Sequence, residues 1–348
     1  YMNNIEITTS QLASAILNLR GKPFSLKGYE PFIPVYDLDP EAMTVKCSRQ
    51  VGKSVSVGAL ITTKSIARPY FNSIYIAPLS NQSSRFNSLY LQPFFNSPLV
   101  RKHYMDAGSK KNVFEKGLSN GSLVFLSYAQ TEQDADRIRG IAADSVNFDE
   151  MADIALEAIP IIKETLSASD YGFIRGFGTP KSEMNTLEIM FKRGNGLEWC
   201  VKCDHCGKWN IPWDHETCIN MCKGTNGPVC NYCAQPVNML TGKWVAARPD
   251  IKDHYSFHMP RFILSSRHDP RKWADLKKSI QTYPASKLDN EVFGLAAGIA
   301  GRILSQREAM SCCDSSKTSF DSSWVIDSRG INNVVLGVDW SVTGGVAS

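Results

Sequence analysis

The sequence predicts an α/β fold with a mostly parallel sheet, on three observations. Short apolar, β-prone runs alternate with helix-like runs between residues 44 and 192. Such alternation implies a parallel sheet covered by helices on both faces. A strand-like run at 43–46 leads into Cys47-Ser-Arg-Gln-Val-Gly-Lys-Ser54, and a helix-like run at 55–66 follows. A second buried-type run, Ser145–Phe148, ends on two adjacent carboxylates, Asp149 and Glu150.

The elements follow in order. Residues 1–40 carry a helix-like stretch at 11–19 and then an approach rich in proline (Pro23, Pro31, Pro34, Pro40). The first strand is expected at 44–47 and its helix over Lys53–Ala67. A second strand over Ser73–Ala77 precedes a helix near 83–95. Runs at 112–115 and 122–127 flank Asn120-Gly121, a hairpin turn signal. The strand at 146–148 leads to a helix at 154–167 that Pro160 interrupts. A strand at 172–178 and a helix at 183–192 complete the alternation. Beyond Gly194-Asn-Gly196 a cysteine-rich segment runs to about Lys243. Pro270–Thr282 reads as a basic helix, and 311–330 as a Ser-rich linker. The run from Asn333 to Val338 is a buried-type strand ending on Asp339. No internal repeat is visible.

Composition bounds the reading. A chain of 348 residues, 43% hydrophobic, has room for two or three domains and a sizeable core. A net charge of +4 makes no global case for nucleic acid or membrane. Two local basic clusters, Arg101-Lys102-His103 with Lys110-Lys111 and Arg261 through Lys278, read as solvated faces. No apolar run is long enough to span a membrane, and the start of the chain does not read as a secretory signal. Seven of the ten cysteines fall between 200 and 233, which argues for zinc over disulfides.

The motifs carry a specific chemistry. Gly52-Lys53-Ser54 closes a phosphate loop, preceded by Arg49, Gln50 and Val51. A strand must end there so that successive N–H groups can face phosphate oxygens, and the helix N-terminus adds its positive end. Lys53 is expected to bridge the β- and γ-phosphates of ATP, and Ser54 to hold Mg²⁺. Cys47 stands where such loops begin with glycine. Asp149 would accept hydrogen bonds from the Mg²⁺ shell, and Glu150 would activate the attacking water as general base. Cys203-x-x-Cys206 and Cys230-x-x-Cys233 are two knuckles that complete a closed, structural Zn²⁺ site. Cys200, Cys218 and Cys222 are spare candidates, with Cys218-x-x-x-Cys222 as an alternative pair, and His205 and His215 lie close in sequence. Phe24, Tyr29 and Phe32 are candidates for stacking on the base, or core residues.

This constellation resembles the large terminase subunit of tailed bacteriophages, in its zinc-ribbon-containing branch. Arg49 stands where these proteins often place an arginine in the phosphate loop. Arg137-Ile-Arg139-Gly140 matches the Arg-Gly that precedes their Asp-Glu strand, and Gly178-Thr179-Pro180 matches their coupling motif. Leu336-Gly337-Val338-Asp339 matches the opening strand of their ribonuclease-H-like nuclease, whose remaining carboxylates lie beyond the matched region. The resemblance implies a P-loop ATPase of the additional-strand, catalytic-glutamate type, a zinc ribbon, and the first strand of a nuclease in which Asp339 binds metal. The implied division is an ATPase core at 1–195, zinc ribbon at 196–245, a C-terminal ATPase or lid part at 246–310, linker at 311–330 and nuclease start at 331–348.

The function so implied is ATP-driven translocation of double-stranded viral DNA into a procapsid, in the host cytoplasm, with cutting of DNA by the full-length protein. The implied partners are double-stranded DNA, portal protein and small terminase subunit, with a homo-oligomeric ring. Arg139 would serve a neighbouring subunit as an arginine finger, Arg49 would sense the γ-phosphate in its own, and Thr179 would couple hydrolysis to movement. Two alternatives are a helicase-like nucleic-acid translocase and a non-enzymatic zinc-ribbon scaffold. No second ATPase-like lobe supports the first, and the intact Lys53, Ser54, Asp149 and Glu150 oppose the second.

Overall fold

The structure is a computed structural model that describes residues 7–105 and 112–298. Lys110-Lys111, the linker and the 333–339 strand with Asp339 lie outside the described residues.

Twelve strands are described. β1 (Asn18–Leu19) and β2 (Lys22–Pro23) form a small hairpin. The others are β3 (Ala42–Cys47), β4 (Ser73–Ala77), β5 (Glu115–Gly117), β6 (Leu123–Tyr128), β7 (Ser145–Phe148), β8 (Phe173–Gly178), β9 (Leu197–Lys202), β10 (Trp209–Asn210), β11 (Lys243–Ala246) and β12 (His254–Met259). They form one ten-stranded sheet in the order β10-β9-β12-β3-β8-β7-β4-β6-β5, with β11 also on β9. All neighbours from β9 to β6 along this order run parallel, and only β5, β10 and β11 pair antiparallel.

Parallel strands covered on both sides should be apolar throughout, and β4, β7 and β8 are buried along their whole length. Alternate residues feed two cores. Val45, Tyr75, Ala77 and Phe177 join one core beneath the helix Lys53–Ala67. Ile74, Ile76, Val146, Phe148 and Ile174 join the other, with Ile159 and Ile162 of the helix Ala158–Lys163. At the amino-terminal edge of the sheet, Asp39 accepts from Lys64 Nζ (2.7 Å), Arg68 Nη2 (2.7 Å) and Arg175 Nη2 (2.6 Å).

Three expectations need revision. The helix expected at 154–167 starts only at Ala158, so Pro160 sits in its first turn, where a missing N–H costs nothing. The helix near 83–95 starts at Ser80 and carries a π-turn, Asn87–Leu91, in its middle. The ATPase core does not close at 195. β12 comes from the segment beyond the cysteine-rich stretch and pairs in parallel with the whole of β3. The cysteine-rich stretch is thus an insertion, and its first strand, β9, belongs to the main sheet.

Candidate active site

Because β3, β4, β7, β8 and β12 are parallel, their carboxyl ends share one edge, where ligands bind in open α/β sheets. β3 delivers the loop 48–52, β7 delivers Asp149 and Glu150, and β8 delivers Thr179. Gln50 (φ 62) and Gly52 (φ 88) both turn left-handed, which bends the chain sharply into the helix at Lys53. Its N-cap is Gly52, which has no side chain to cap with, and no side chain of the described residues bonds the N–H groups of its first turn.

Five predicted residues come together. Lys53 Nζ lies 2.7 Å from Glu150 Oε1 and 3.1 Å from Thr179 Oγ1. Ser54 Oγ donates to Asp149 Oδ2 at 2.8 Å. Burial opposes the charge on Lys53, but Glu150 and Asp149 outweigh it and hold the ammonium above its usual value. Burial also raises Asp149, against the pull of Lys53 and the Ser54 hydroxyl. Glu150 is left-handed (φ 51), a strained conformation for a residue with a side chain, and its N–H is held by Asp149 Oδ1 at 3.0 Å. A Cβ on Gly178 would lie 3.1 Å from the Met151 nitrogen, so glycine lets β8 run close to the chain leaving Glu150.

A cavity of about 1080 Å³ opens over the loop, lined by Arg49, Gln50, Gly52, Lys53, Ser54 and Glu150. Pro180 and Thr179 line a smaller one beside it, of about 530 Å³. The Val51 side chain packs in the core instead. Cys47 is buried, and that burial pushes its thiol up to about 12, so it is neutral at the head of the loop. Arg49 is largely exposed and pairs with Glu291 at 3.1 Å. Arg139 does not reach this cavity. It is 65% exposed and pairs with Asp136 at 2.9 Å, while Arg137 pairs with Asp134. Phe32 is buried in the core, whereas Tyr29 and the mostly buried Phe24 both line a pocket of about 290 Å³ next to Gly52.

Sequence reasoning missed several residues. Tyr75 on β4 donates to Asp149 Oδ2 at 3.2 Å, and its ring stacks on Phe86 at 3.7 Å. Arg261, read as part of a solvated face, turns inward. Its Nε donates to the Arg49 carbonyl (3.2 Å) and its Nη2 to the Glu291 carbonyl (2.9 Å), so it fixes the loop against 289–293. Gly294 (φ +69) lets that segment approach the loop, since a Cβ there would lie 2.8 Å from the Ser48 nitrogen. His258 on β12 is buried between Glu198 Oε2 and the Phe293 carbonyl, at 2.8 Å from each. An isolated arginine, tyrosine or histidine carries no motif. The only signal for Tyr75 was its place in the strand expected over Ser73–Ala77, which the structure sets beside β7.

The four knuckle cysteines also converge. The sulfurs of Cys203, Cys206, Cys230 and Cys233 all lie within 4.8 Å of one another. The two knuckles repeat one turn: Gly207 N donates to the Cys203 carbonyl, and Ala234 N to the Cys230 carbonyl. Burial would raise the Cys230 thiol, but the N–H groups of Tyr232 and Cys233 pull it down, while the neighbouring cysteine sulfurs push the Cys233 thiol up. Cys218 and Cys222 lie buried on the helix His215–Met221 and its end, outside this cluster, and Cys200 is likewise outside it.

A mostly parallel α/β sheet with its polar side chains gathered at the carboxyl ends of the central strands defines a nucleotide-handling ATPase fold. Residues 35–238, more than half of the chain, match the family described as phage terminase large subunit gpA, ATPase domain, and the chain belongs to that family. It is an ATPase of viral DNA packaging. Among solved structures, the ATPase domain of the large terminase of Thermus phage P74-26 is similar, with 17% identity and a TM-score of 0.50 over 83% of this chain and 99% of that one. At such identity the likeness shows a shared fold. The large terminase of the thermophilic bacteriophage D6E, solved in complex with ADP, is more distant: 13% identity, TM-score 0.37, covering 47% of this chain and 39% of that one. No curated protein sequence matches the chain. Among the described residues, no helix is long and apolar enough to cross a membrane.

Proposed function

We propose that this chain is the ATPase of a terminase motor that moves double-stranded DNA into a procapsid by ATP hydrolysis at the carboxyl edge of its sheet. The observation that carries the reading is the convergence of Lys53, Ser54, Asp149, Glu150 and Thr179 within hydrogen-bonding reach. β8 stands between β3 and β7, as the additional-strand type of P-loop ATPase requires.

The Ser48 and Arg49 N–H groups are held by the Met259 and Glu291 carbonyls, so the N–H groups that bind the phosphates of ATP are those of Gln50 to Gly52 and of the first helical turn. Lys53 exchanges Glu150 for the β- and γ-phosphate oxygens. That exchange frees Glu150 to accept a proton from the attacking water. Lys53 therefore keeps the general base occupied until substrate takes its place. Ser54 Oγ and the Asp149 carboxylate, already paired at 2.8 Å, form the oxygen-rich set that suits magnesium. A Mg²⁺ ion held by these two residues would neutralise charge on the ATP phosphates. Thr179, bonded to Lys53, registers the same exchange and passes it through Pro180 to the following segment. Arg49 acts in its own subunit. Arg139, exposed and not among the side chains that line its own cavity, acts as a finger in a neighbouring subunit of a ring.

The four cysteines hold one zinc ion. The sulfur separations of 3.7 Å for Cys203–Cys233 and 3.6 Å for Cys206–Cys230 fit the edges of a tetrahedron with Zn–S of about 2.3 Å. With four thiolates the site is closed and structural. The remaining assignments belong to the same reading: portal and small terminase subunit as partners, the host cytoplasm as location, a zinc ribbon inserted in an ATPase core that resumes with β12, then linker and nuclease start, and Asp339 as a nuclease metal ligand. DNA contacts are to phosphates, since a packaging motor accepts any sequence.

The test is ATP turnover by the chain, with and without double-stranded DNA, beside Glu150→Ala and Arg139→Ala across a protein concentration series. Turnover that rises with concentration, vanishes in each variant and returns when the two are mixed supports a ring with a finger in trans. Turnover insensitive to both DNA and Glu150 removes the reading.

A further inference from the structure

We infer that Tyr75 is a positioning residue for Asp149, setting how tightly the site takes its divalent cation. The inference rests on the reading of Asp149 as the magnesium-side carboxylate. Tyr75 is 2% exposed, and a tyrosine hydroxyl in a core needs a partner. It finds one in Asp149 Oδ2, 3.2 Å away. An ionised carboxylate only accepts, so Tyr75 donates.

The hydrogen bonds around Asp149 give this contact its role. Oδ2 receives both Ser54 Oγ (2.8 Å) and Tyr75 OH (3.2 Å), while Oδ1, among the described residues, receives the Glu150 N–H alone (3.0 Å). Each oxygen has two lone pairs. Oδ2 is therefore filled, and acceptor capacity remains on Oδ1. Ser54 is itself a ligand candidate, so its hydroxyl must serve the cation and the carboxylate together. Tyr75 has no such second duty and is the anchor that stays put.

The fold holds Tyr75 rigidly. β4 and β7 are parallel neighbours in register, with Ile76 opposite Phe148, so Tyr75 sits just upstream of the carboxylate pair. Its ring lies flat on Phe86 (3.7 Å, 8°), and Phe86 meets Tyr90, which lines the nucleotide cavity. Phe86 ends the helical segment before the π-turn Asn87–Leu91, an irregularity frequent at functional sites. The hydroxyl thus reaches Asp149 on a ring fixed in plane, as an outer-shell partner fixes a metal-binding side chain.

The test is Tyr75→Phe, which keeps the stacked ring and removes only the donor. A fluorescent ATP analogue is titrated with Mg²⁺ and, separately, bound in EDTA. Tyr75→Phe should bind the metal-free analogue as the wild type does, while the Mg²⁺ concentration for half-effect rises about tenfold. ATP turnover should recover as Mg²⁺ is raised. An unchanged Mg²⁺ half-effect overturns the inference. So does an equal loss in EDTA, which would mean a damaged pocket. Asp149→Asn, run alongside, separates the two claims. If it keeps wild-type Mg²⁺ dependence, the reading of Asp149 falls and takes Tyr75 with it. If it loses that dependence while Tyr75→Phe does not, only the Tyr75 inference falls.

Discussion

Replacing Asp39 by Asn should destabilise the protein in a pH-dependent way. Asp39 is the shared counter-charge of Lys64, Arg68 and Arg175, whose side chains are 6%, 25% and 2% exposed. Breaking a buried pair by removing one partner costs about 3–5 kcal/mol. Asp39 itself is 25% exposed, so the lower end, about 3 kcal/mol, is appropriate. With an unfolding entropy of about 2.1 cal/mol/K per residue over roughly 300 residues, the Tm falls by about 5 °C.

The sign of the pH effect follows from Lys64. Burial brings its ammonium down to about 8, against the pull of Asp39. Its folded value thus lies below its unfolded one, and burying the charge costs stability below about pH 8. That cost is relieved as pH rises toward 10.5. Without Asp39 the Lys64 value falls further, so the variant sheds the proton earlier and its deficit shrinks as pH approaches 8. Asp39, although its burial works the other way, is lowered below 3.8 by Lys64, Arg175 and Arg68. It stabilises the wild type above that value and loses the effect as pH falls through its folded pKa. Thermal unfolding of both proteins at pH 6 and pH 8 is the assay. A Tm shift below about 1 °C at pH 6, or an equal shift at both pH values, refutes the reasoning.

Three further outcomes are expected. Glu150→Gln should lower ATP turnover by about 10²–10⁴-fold, the usual worth of a general base, while a fluorescent nucleotide still binds; retained turnover would remove Glu150 from the chemistry. Gly294→Ala places a Cβ 2.8 Å from the Ser48 nitrogen at φ +69, at a strain of about 1–2 kcal/mol. About tenfold weaker nucleotide binding should follow in a titration, because the displaced atoms belong to the loop. Cys206→Ser should lower bound zinc below one ion per chain in a metal assay and reduce the Tm; unchanged zinc content would point to other ligands.

The sequence made legible whatever depends on neighbours in the chain. Gly52-Lys53-Ser54 at a strand–helix junction, Asp149-Glu150 at a strand end and the paired CxxC turns are local patterns with few physical readings. Each lies where the structure gathers polar side chains or sulfurs. Residues that act across long separations were not legible. Arg261 reaches Arg49 across a separation of 212 positions, and His258 reaches Glu198 through a pairing that exists only because β12 returns to the sheet. No periodicity announces such a return after a cysteine-rich insertion. Pro160 misled for the opposite reason: proline breaks a helix interior but is tolerated in a first turn, and the sequence did not say where the helix began.

The sheet is closed at its borders as well as filled at its centre. β3, β8, β7 and β4 each have a parallel neighbour on both sides. One flank ends in β5, of three residues, and the other in β11 and β10, of four and two residues, with Lys243 exposed on β11. Short, charged border strands make poor templates for strand pairing between molecules. Copies of this chain crowded together would therefore meet through side chains rather than by extending a common sheet. Contacts of that kind can be released and remade, whereas a fused sheet would lock neighbouring copies together.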